Sequence, residues 1–282
     1  MLFRSQDRSQ AIAYTMEFEE MWGGSAAQPD TLNDKFGPDK TDNTPHLFNV
    51  AGKMVESFFS PSDNTNEQII RSVNTADHEA YFATMVFTRT DLANAFADRV
   101  MNFGIYGAGI MNDSAGGSGP SFLIIQNAVG VARELLFDHA TQPGILHHKY
   151  LIVDPNFAAA DPLVLTGSHN WSSSATQKND ENTLIIHDAL IANQYYQEFH
   201  NLFNTNGGAL GIAAATQDAD EFQFYPNPSN GSFRLSFNSN ESAAAEIVIS
   251  DLLGKTISSQ KDRKSTRLNS SHIPLSRMPS SA

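Results

Sequence analysis

Short apolar runs of strand length alternate along the chain with stretches whose apolar residues recur every three or four positions, as on one face of a helix. The apolar runs predict strands at 53–60, 79–87, 104–113, 134–138, 144–154, 162–168 and 182–188. The periodic stretches predict helices at 64–78, 90–104 and 189–203. Residues 121–132 fit either element, and we favour a helix. Strands interleaved with helices predict an α/β layered domain at 47–204.

Two polar stretches bound this domain. Residues 25–46 contain three prolines and residues 205–220 are rich in small side chains, so both are predicted to be linkers. Residues 221–261 have the pattern of short strands separated by Pro-Asn-Pro and Asn-Gly turns. This all-β segment is too short to be a complete domain, and we interpret it as an incomplete β-sandwich.

The first predicted helix, at 11–24, resembles the closing helix at 192–208 through a shared Tyr-x-x-Glu-Phe core. An internal repeat would explain this likeness. In that case residues 1–24 are the last helix of a truncated first repeat. Two unrelated amphipathic helices are the alternative.

Composition narrows the possible chemistry. The chain has no cysteine, which excludes disulfides, thiolate catalysis and cysteine-based zinc sites. Its formal charge of −13 disfavours non-specific binding to nucleic acid, whose phosphates repel an acidic surface, but leaves room for a local basic pocket. No run of 18 apolar residues occurs, so no transmembrane span is expected. The opening "MLFRSQDRSQ" lacks the apolar stretch of a signal peptide, as expected if the chain is a fragment.

The final residues, 262–282, have no hydrophobic period and resemble a translated sequencing adapter: "DRKSTRLNSSH", a short variable stretch, then "SRMPSSA". We therefore interpret them as a non-native tail and exclude them from fold reasoning. A natural basic disordered tail is the alternative. The tail carries four Lys/Arg and one Asp, so the rest of the chain has a formal charge of −16.

The strand predicted at 144–154, "GILHHKYLIVD", carries two adjacent histidines and a lysine in an otherwise apolar run. Side chains alternate between the two faces of a strand, which puts His147 and Lys149 on one face, about 7 Å apart, and His148 on the other. An imidazole and an ammonium that face one point suit an anion, most naturally a phosphate. His148 is expected to be a packed or hydrogen-bonded histidine.

Further polar groups follow in order. The next strand ends in "TGSHNW", where glycine permits close approach and two polar side chains offer hydrogen bonds, and "KNDEN" then brings a glutamate. The ordered set His-x-Lys-x(4)-Asp, Gly-Ser-x-Asn and Glu resembles the phospholipase D superfamily. The matching residues are His147, Lys149, Asp154, Gly167, Ser168, Asn170 and Glu181.

The resemblance implies a fold and a chemistry. The fold is a layered mixed sheet flanked by helices and followed by the partial all-β segment, with a hairpin loop at 155–164 that is longer than the family's short form. His147 is implied to attack a phosphodiester and form a covalent phosphohistidine, with no metal and no cofactor required. The other implied roles are phosphate binding by Lys149 and Asn170 together with His147, orientation of His147 by Glu181 with support from Ser168, and a structural contact by Asp154.

The implied reaction is hydrolysis or transfer of phosphodiesters. Glycerophospholipids are the first choice of substrate, because an acidic chain repels DNA. An endonuclease of the same superfamily and a catalytically inactive binding module are the alternatives. Family active sites combine two copies of the motif, and this chain has one. The second copy is expected from a missing N-terminal repeat or from a homodimer partner, so the chain is expected to be inactive as a monomer.

Two other interpretations carry less weight. A zinc site formed by His147, His148, His169 and His187 is conceivable, but no HExxH-like spacing supports it. Arg89 is a possible lining residue of the site, although a surface arginine at a helix start is the simpler interpretation.

The C-terminal segment resembles the sorting domain of proteins secreted by the Bacteroidetes type IX system. The residues that carry this resemblance are Tyr225-Pro226-Asn227-Pro228, Gly231-Ser232-Phe233 and Asp251-Leu252-Leu253-Gly254-Lys255. The resemblance implies that the parent protein is secreted or held at the cell surface. The final strands of such a domain are expected after Gln260, where the adapter-like tail stands instead.

Overall fold

The computed structural model describes residues 6–113 and 119–210, together with four short strands nearer the C-terminus. The helices are α1 (Arg8–Trp22), α2 (Thr65–Asn74), α3 (Thr90–Phe103), α4 (Gly119–Val129), α5 (Ser173–Gln177) and α6 (Ala189–Thr205), with a 3-10 turn at Gly37–Asp39. The strands of the large sheet are β1 (Leu47–Val50), β2 (Lys53–Ser60), β3 (Glu79–Thr84), β4 (Tyr106–Met111), β5 (Glu134–Leu136), β6 (Lys149–Val153), β7 (Leu163–Gly167) and β8 (Glu181–His187).

These eight strands form one mixed sheet in the order β1-β2-β8-β7-β6-β3-β4-β5. The pairs β3–β4 and β4–β5 are parallel, and the other neighbours are antiparallel. Helices pack on the sheet, so the predicted α/β layered architecture with a mixed sheet is confirmed.

The sheet separates two apolar cores. On β6, Leu151 faces a core built with α2, α3 and α4, whereas Ile152 faces the core built with α1 and α6. Phe82 and Tyr81 of β3 divide between the same two cores. All the residues of β3 and β6 are buried, as expected for central strands covered on both faces.

Three elements differ from the sequence-based expectation. The strand predicted at 144–154 begins only at Lys149, and before it the backbone N–H of Leu146 donates to the side chain of Asn112 (2.9 Å). The edge strand β1 was not predicted, since Phe48 is its one buried residue. The five-residue helix α5 is too short to show a helical period.

The N-terminal part of the chain packs on the sheet. Residues 1–211 form one compact unit, in which the ring of Tyr14 on α1 meets that of Phe59 at a centroid distance of 4.9 Å. Within the predicted linker at 25–46, Lys40 is buried. Whether α1 derives from an earlier repeat stays a prediction.

The C-terminal unit contains two antiparallel strand pairs. These are β9 (Gln223–Tyr225) with β10 (Arg234–Ser236) and β11 (Glu246–Ser250) with β12 (Thr256–Lys261). Most of the linker predicted at 205–220 and the whole of the tail at 262–282 lie outside the described residues. Among the helices that the structure describes, none is long and apolar enough to cross a membrane.

Candidate functional site

Three adjacent strands in the middle of the sheet bring polar residues together at one end of the strands. Because β7 runs antiparallel to both β6 and β8, the end of β7 lies beside the starts of its two neighbours. Lys149 opens β6, Gly167 closes β7 and Glu181 opens β8. Of the sequence-predicted site residues, His147, Lys149, Ser168, Asn170 and Glu181 therefore gather at this end, which we call the site edge.

Asp154 lies at the other end of β6, about 16 Å from Lys149 by the rise of a strand. Its buried carboxylate accepts three backbone hydrogen bonds, from Asp77 (2.8 Å), His78 (2.8 Å) and Glu79 (2.7 Å). These contacts fix the turn that leads from α2 into β3. Asp154 thus makes a structural contact, and it does not reach the site edge.

The two adjacent histidines have different surroundings. His148 pairs through Nε2 with Glu198 of α6 (3.3 Å), and its ring lies against that of Tyr150. His147 is exposed. Its side chain is therefore open to solvent, whereas that of His148 is engaged by α6.

Lys149 brings a cation into a largely dehydrated position. The residue is 7 % exposed, and its Nζ donates to the carbonyl oxygen of His147 (3.1 Å). Burial lowers the pKa of Lys149, and the negative charge of Glu181 acts in the opposite direction. A poorly hydrated ammonium binds an anion more strongly than one at the surface.

Ser168 and Asn170 follow the end of β7. The Oγ of Ser168 accepts from the backbone N–H of Asn182 (3.0 Å), so this side chain ties the β7 end to the start of β8. Gly167 allows the backbones of β7 and β8 to lie this close together, since a Cβ at this position would lie 2.1 Å from the carbonyl oxygen of Asn182. The Oδ1 of Asn170 is buried and has no hydrogen-bond partner among the described residues.

Glu181 accepts a hydrogen bond from the side chain of Asn179 (3.2 Å). Between the described residues, no hydrogen bond joins Glu181 to His147, the residue that it is expected to orient. The charge of Glu181 acts on Lys149 instead.

His169, between the two polar residues of the β7 end, is a further site-edge residue. From the sequence, His169 is expected at most to be one of four zinc ligands. Its ring is buried and both nitrogens lack a partner within the described part of the chain. Burial lowers the pKa of His169 to about 4, with a smaller contribution from the positive charge of Arg89. The flanking serine and asparagine suggest an exposed turn, so no sequence signal indicates this burial.

Arg89 precedes α3 and pairs with Asp91 on the same helix. Two of the four histidines considered for zinc are engaged in separate contacts: His187 bonds to Glu56 (2.9 Å) and Asp161 (3.0 Å), and His148 pairs with Glu198 of α6. Over the described ranges, one cluster has metal-ligand spacing, and it consists of Asp42, His46 and Asp63.

Two parts of the chain match models of known protein families. Residues 69–203 match the family described as cardiolipin synthase, PLD-like domain. Residues 223–280 match the secretion system C-terminal sorting domain. The second match continues past residue 262, so it marks no boundary at the adapter-like tail, whose non-native origin stays a prediction.

The similarity to individual relatives extends over only part of each relative's length. A mitochondrial cardiolipin hydrolase of Xenopus tropicalis is 36% identical over 92 residues, which are 33% of this chain and 36% of the relative. A phospholipase D of Rickettsia bellii is 37% identical over 65 residues, 23% of this chain and 29% of the relative. The chain thus spans about a third of the length of these relatives.

Among solved structures, Nuc of Salmonella typhimurium, titled a phospholipase D family member, is 21% identical with a TM-score of 0.46. The superposition covers 54% of this chain and 95% of the Nuc chain.

Residues 69–203, just under half of the chain, are similar to the PLD-like domain, and a shorter stretch is similar to mitochondrial cardiolipin hydrolases. Residues 223–280 are in turn similar to a secretion system C-terminal sorting domain.

Proposed function

We propose that the protein is a phosphodiesterase that hydrolyses or transfers phosphodiesters through a covalent phosphohistidine on His147. The observation that carries this proposal is the site edge itself. There an exposed imidazole, at His147, lies two residues from the buried ammonium of Lys149. This combination offers a nucleophile and an anion-binding group at one position.

In the proposed first step, a ring nitrogen of His147 attacks the phosphorus and the bond to the leaving alcohol breaks. The ammonium of Lys149 and the side-chain N–H groups of Asn170 donate to the non-bridging oxygens, where negative charge is concentrated. Glu181 accepts from the other ring nitrogen of His147 once the substrate has ordered the side chain, since catalytic hydrogen bonds often tighten only in the complex.

The leaving oxygen needs a proton, which we propose comes from the histidine of a second motif copy. In the second step, water attacks the phosphohistidine, loses its proton to that histidine and releases His147. An alcohol in place of water gives transfer instead of hydrolysis.

The second motif copy is proposed to come from a homodimer partner or from an additional N-terminal repeat. In the first case, turnover per chain rises with chain concentration as dimers form. The measurement is activity against concentration beside the molar mass in solution. Full activity of a monomer would contradict the need for a second copy.

Glycerophospholipids are the proposed substrates. The formal charge of −13 disfavours a polyanion such as DNA, and the partial relatives include a protein named for cardiolipin hydrolysis and one named phospholipase D. An endonuclease and an inactive binding module are the competing proposals. Secretion or display at the cell surface is proposed from the sorting domain.

The deciding experiment compares His147→Ala with the neighbouring His148→Ala. Each variant and the unmodified protein are assayed on phosphatidylcholine vesicles, cardiolipin vesicles and plasmid DNA. Loss of the nucleophile is expected to lower turnover by at least about a thousandfold, whereas His148→Ala retains most of it. Cleavage of DNA but of neither lipid would favour the endonuclease, and binding without turnover on any substrate would favour the binding module.

A further inference from the structure

We infer that the N-terminal part of the chain holds the loop that carries Glu181, with Lys40 as a positioning residue for that carboxylate. This N-terminal clasp consists of α1 and residues 37–40. The functional consequence rests on the proposed role of Glu181, whereas the contact between clasp and loop does not.

Lys40 is the central contact of the clasp. Its side chain has no exposed surface, and its Nζ pairs with Glu17 of α1 and with Asp180 (3.2 Å). Asp180 immediately precedes Glu181. Removing one partner from a buried ion pair is strongly destabilising, because a desolvated charge is left uncompensated.

Gly37 adds a backbone contact on the same side. Its N–H donates to Oδ1 of Asp180 (2.8 Å). A Cβ at this glycine would lie 2.7 Å from the carbonyl oxygen of Lys178, and its φ of +54° is one that other residues rarely adopt. The clasp therefore lies directly against the backbone of the loop.

Two further hydrogen bonds hold the loop, one from α1 and one from the end of β2. The hydroxyl of Tyr14 on α1 donates to Oδ1 of Asn182 (3.5 Å), and Ser60 at the end of β2 donates to the carbonyl oxygen of Asn179 (3.0 Å). Both chain neighbours of Glu181 thus contact the clasp.

The clasp is linked to the site edge through Asn182, because the backbone N–H of Asn182 donates to the Oγ of Ser168 at the end of β7. The position of Glu181 also sets how much negative charge acts on Lys149. A loop released from the clasp would carry this charge away from the lysine. Anion binding by Lys149 would then fail at a lower pH than in the unmodified protein.

The first test measures hydrogen exchange of the loop at residues 178–182. Lys40→Met removes the buried cation and keeps an unbranched side chain, and Lys35→Met is the matched control because Lys35 pairs with Glu20 at the surface. Exchange in the loop is expected to quicken by at least about tenfold in Lys40→Met relative to Lys35→Met. Equal exchange rates in the two variants would overturn the inference.

A second variant guards against a failure of Lys40→Met to fold. Asp180→Asn removes the charge from the loop and leaves Lys40 its partner Glu17. It is expected to quicken exchange in the loop to a smaller extent. Unchanged exchange in Asp180→Asn, where Lys40→Met does not fold, would also overturn the inference.

The third measurement separates positioning from general destabilisation. Inorganic phosphate is titrated onto each variant at increasing pH, and the alkaline decline of binding is expected at lower pH in Lys40→Met than in Lys35→Met. Adding Glu181→Gln to Lys40→Met is expected to cause no further shift, since both act through one carboxylate. Additive shifts would contradict positioning through Glu181. If the unmodified protein binds no phosphate, the proposed function fails, while the exchange experiment still decides on the clasp.

Discussion

Lys149 and Asp154 belong to one short sequence motif, yet they stand at opposite ends of β6. Lys149 opens the strand at the site edge, and Asp154 closes it with a carboxylate that accepts three backbone N–H groups. The motif therefore combines a structural contact at one end of the strand with the anion-binding role that we propose for the other.

The first prediction concerns Asp154→Asn. The substitution removes the negative charge from a buried acceptor of three hydrogen bonds, so the free energy of unfolding is expected to fall by about 2 kcal/mol. Urea denaturation measures this change, with the exposed Asp34→Asn as control. A variant as stable as the control would show that the carboxylate is not needed for the turn.

The second prediction concerns the pH dependence of stability and rests on Glu134, which lies outside the site edge. It is 2 % exposed, and neither carboxylate oxygen has a partner among the described residues. Burial raises the pKa of Glu134 well above its ordinary value. The folded state therefore holds this proton more tightly than the unfolded state, and stability declines as pH rises from the unfolded pKa, about 4.3, through the folded one.

Glu134→Gln is expected to remove this decline. Relative to the unmodified protein, the variant should gain about 1.4 kcal/mol at neutral pH for each unit by which the pKa is raised. Chemical denaturation between about pH 4 and pH 8 measures the difference, with the exposed Glu67→Gln as control. A constant difference across this range would contradict a protonated Glu134.

Because Lys149 must be protonated to bind an anion, we expect anion binding to weaken at alkaline pH. Burial lowers the pKa of its ammonium, so the affinity for inorganic phosphate is expected to decline at a pH below the ordinary lysine pKa of about 10.4. Lys149→Met should bind phosphate weakly at every pH, and Glu181→Gln should move the decline to lower pH. Calorimetric titration from about pH 6 to pH 11 measures both effects.

Gly167→Ala tests the close approach of β7 and β8. The added methyl group would lie 2.1 Å from the carbonyl oxygen of Asn182, so the two strand ends must separate. The expected cost is about 1–3 kcal/mol of stability, together with weaker phosphate binding, because Ser168 and Asn170 follow directly. Unchanged stability and phosphate affinity would show that the strand ends can adjust freely.

Strand alternation predicted much of this arrangement. Leu151 and Ile152 divide between two cores as their period of two requires, and the polar pattern indicated the residues that the sheet gathers at one edge. The sequence could not indicate that Asp154 receives the N–H groups of residues 77–79, since these contacts depend on β3 and β6 becoming neighbours. Nor could it indicate that Lys40, in a stretch resembling a linker, is buried beside Asp180.

The loop between β6 and β7 has a practical use that follows from the sheet register. Because it begins at Asp154, directly after β6, it lies at the opposite end of that strand from Lys149, and Ala158 and Ala159 are exposed there. Extra residues in this loop lengthen the hairpin away from the site edge. A fluorophore or an immobilisation tag could therefore be inserted between these two alanines, at the opposite ends of the strands from His147 and Lys149.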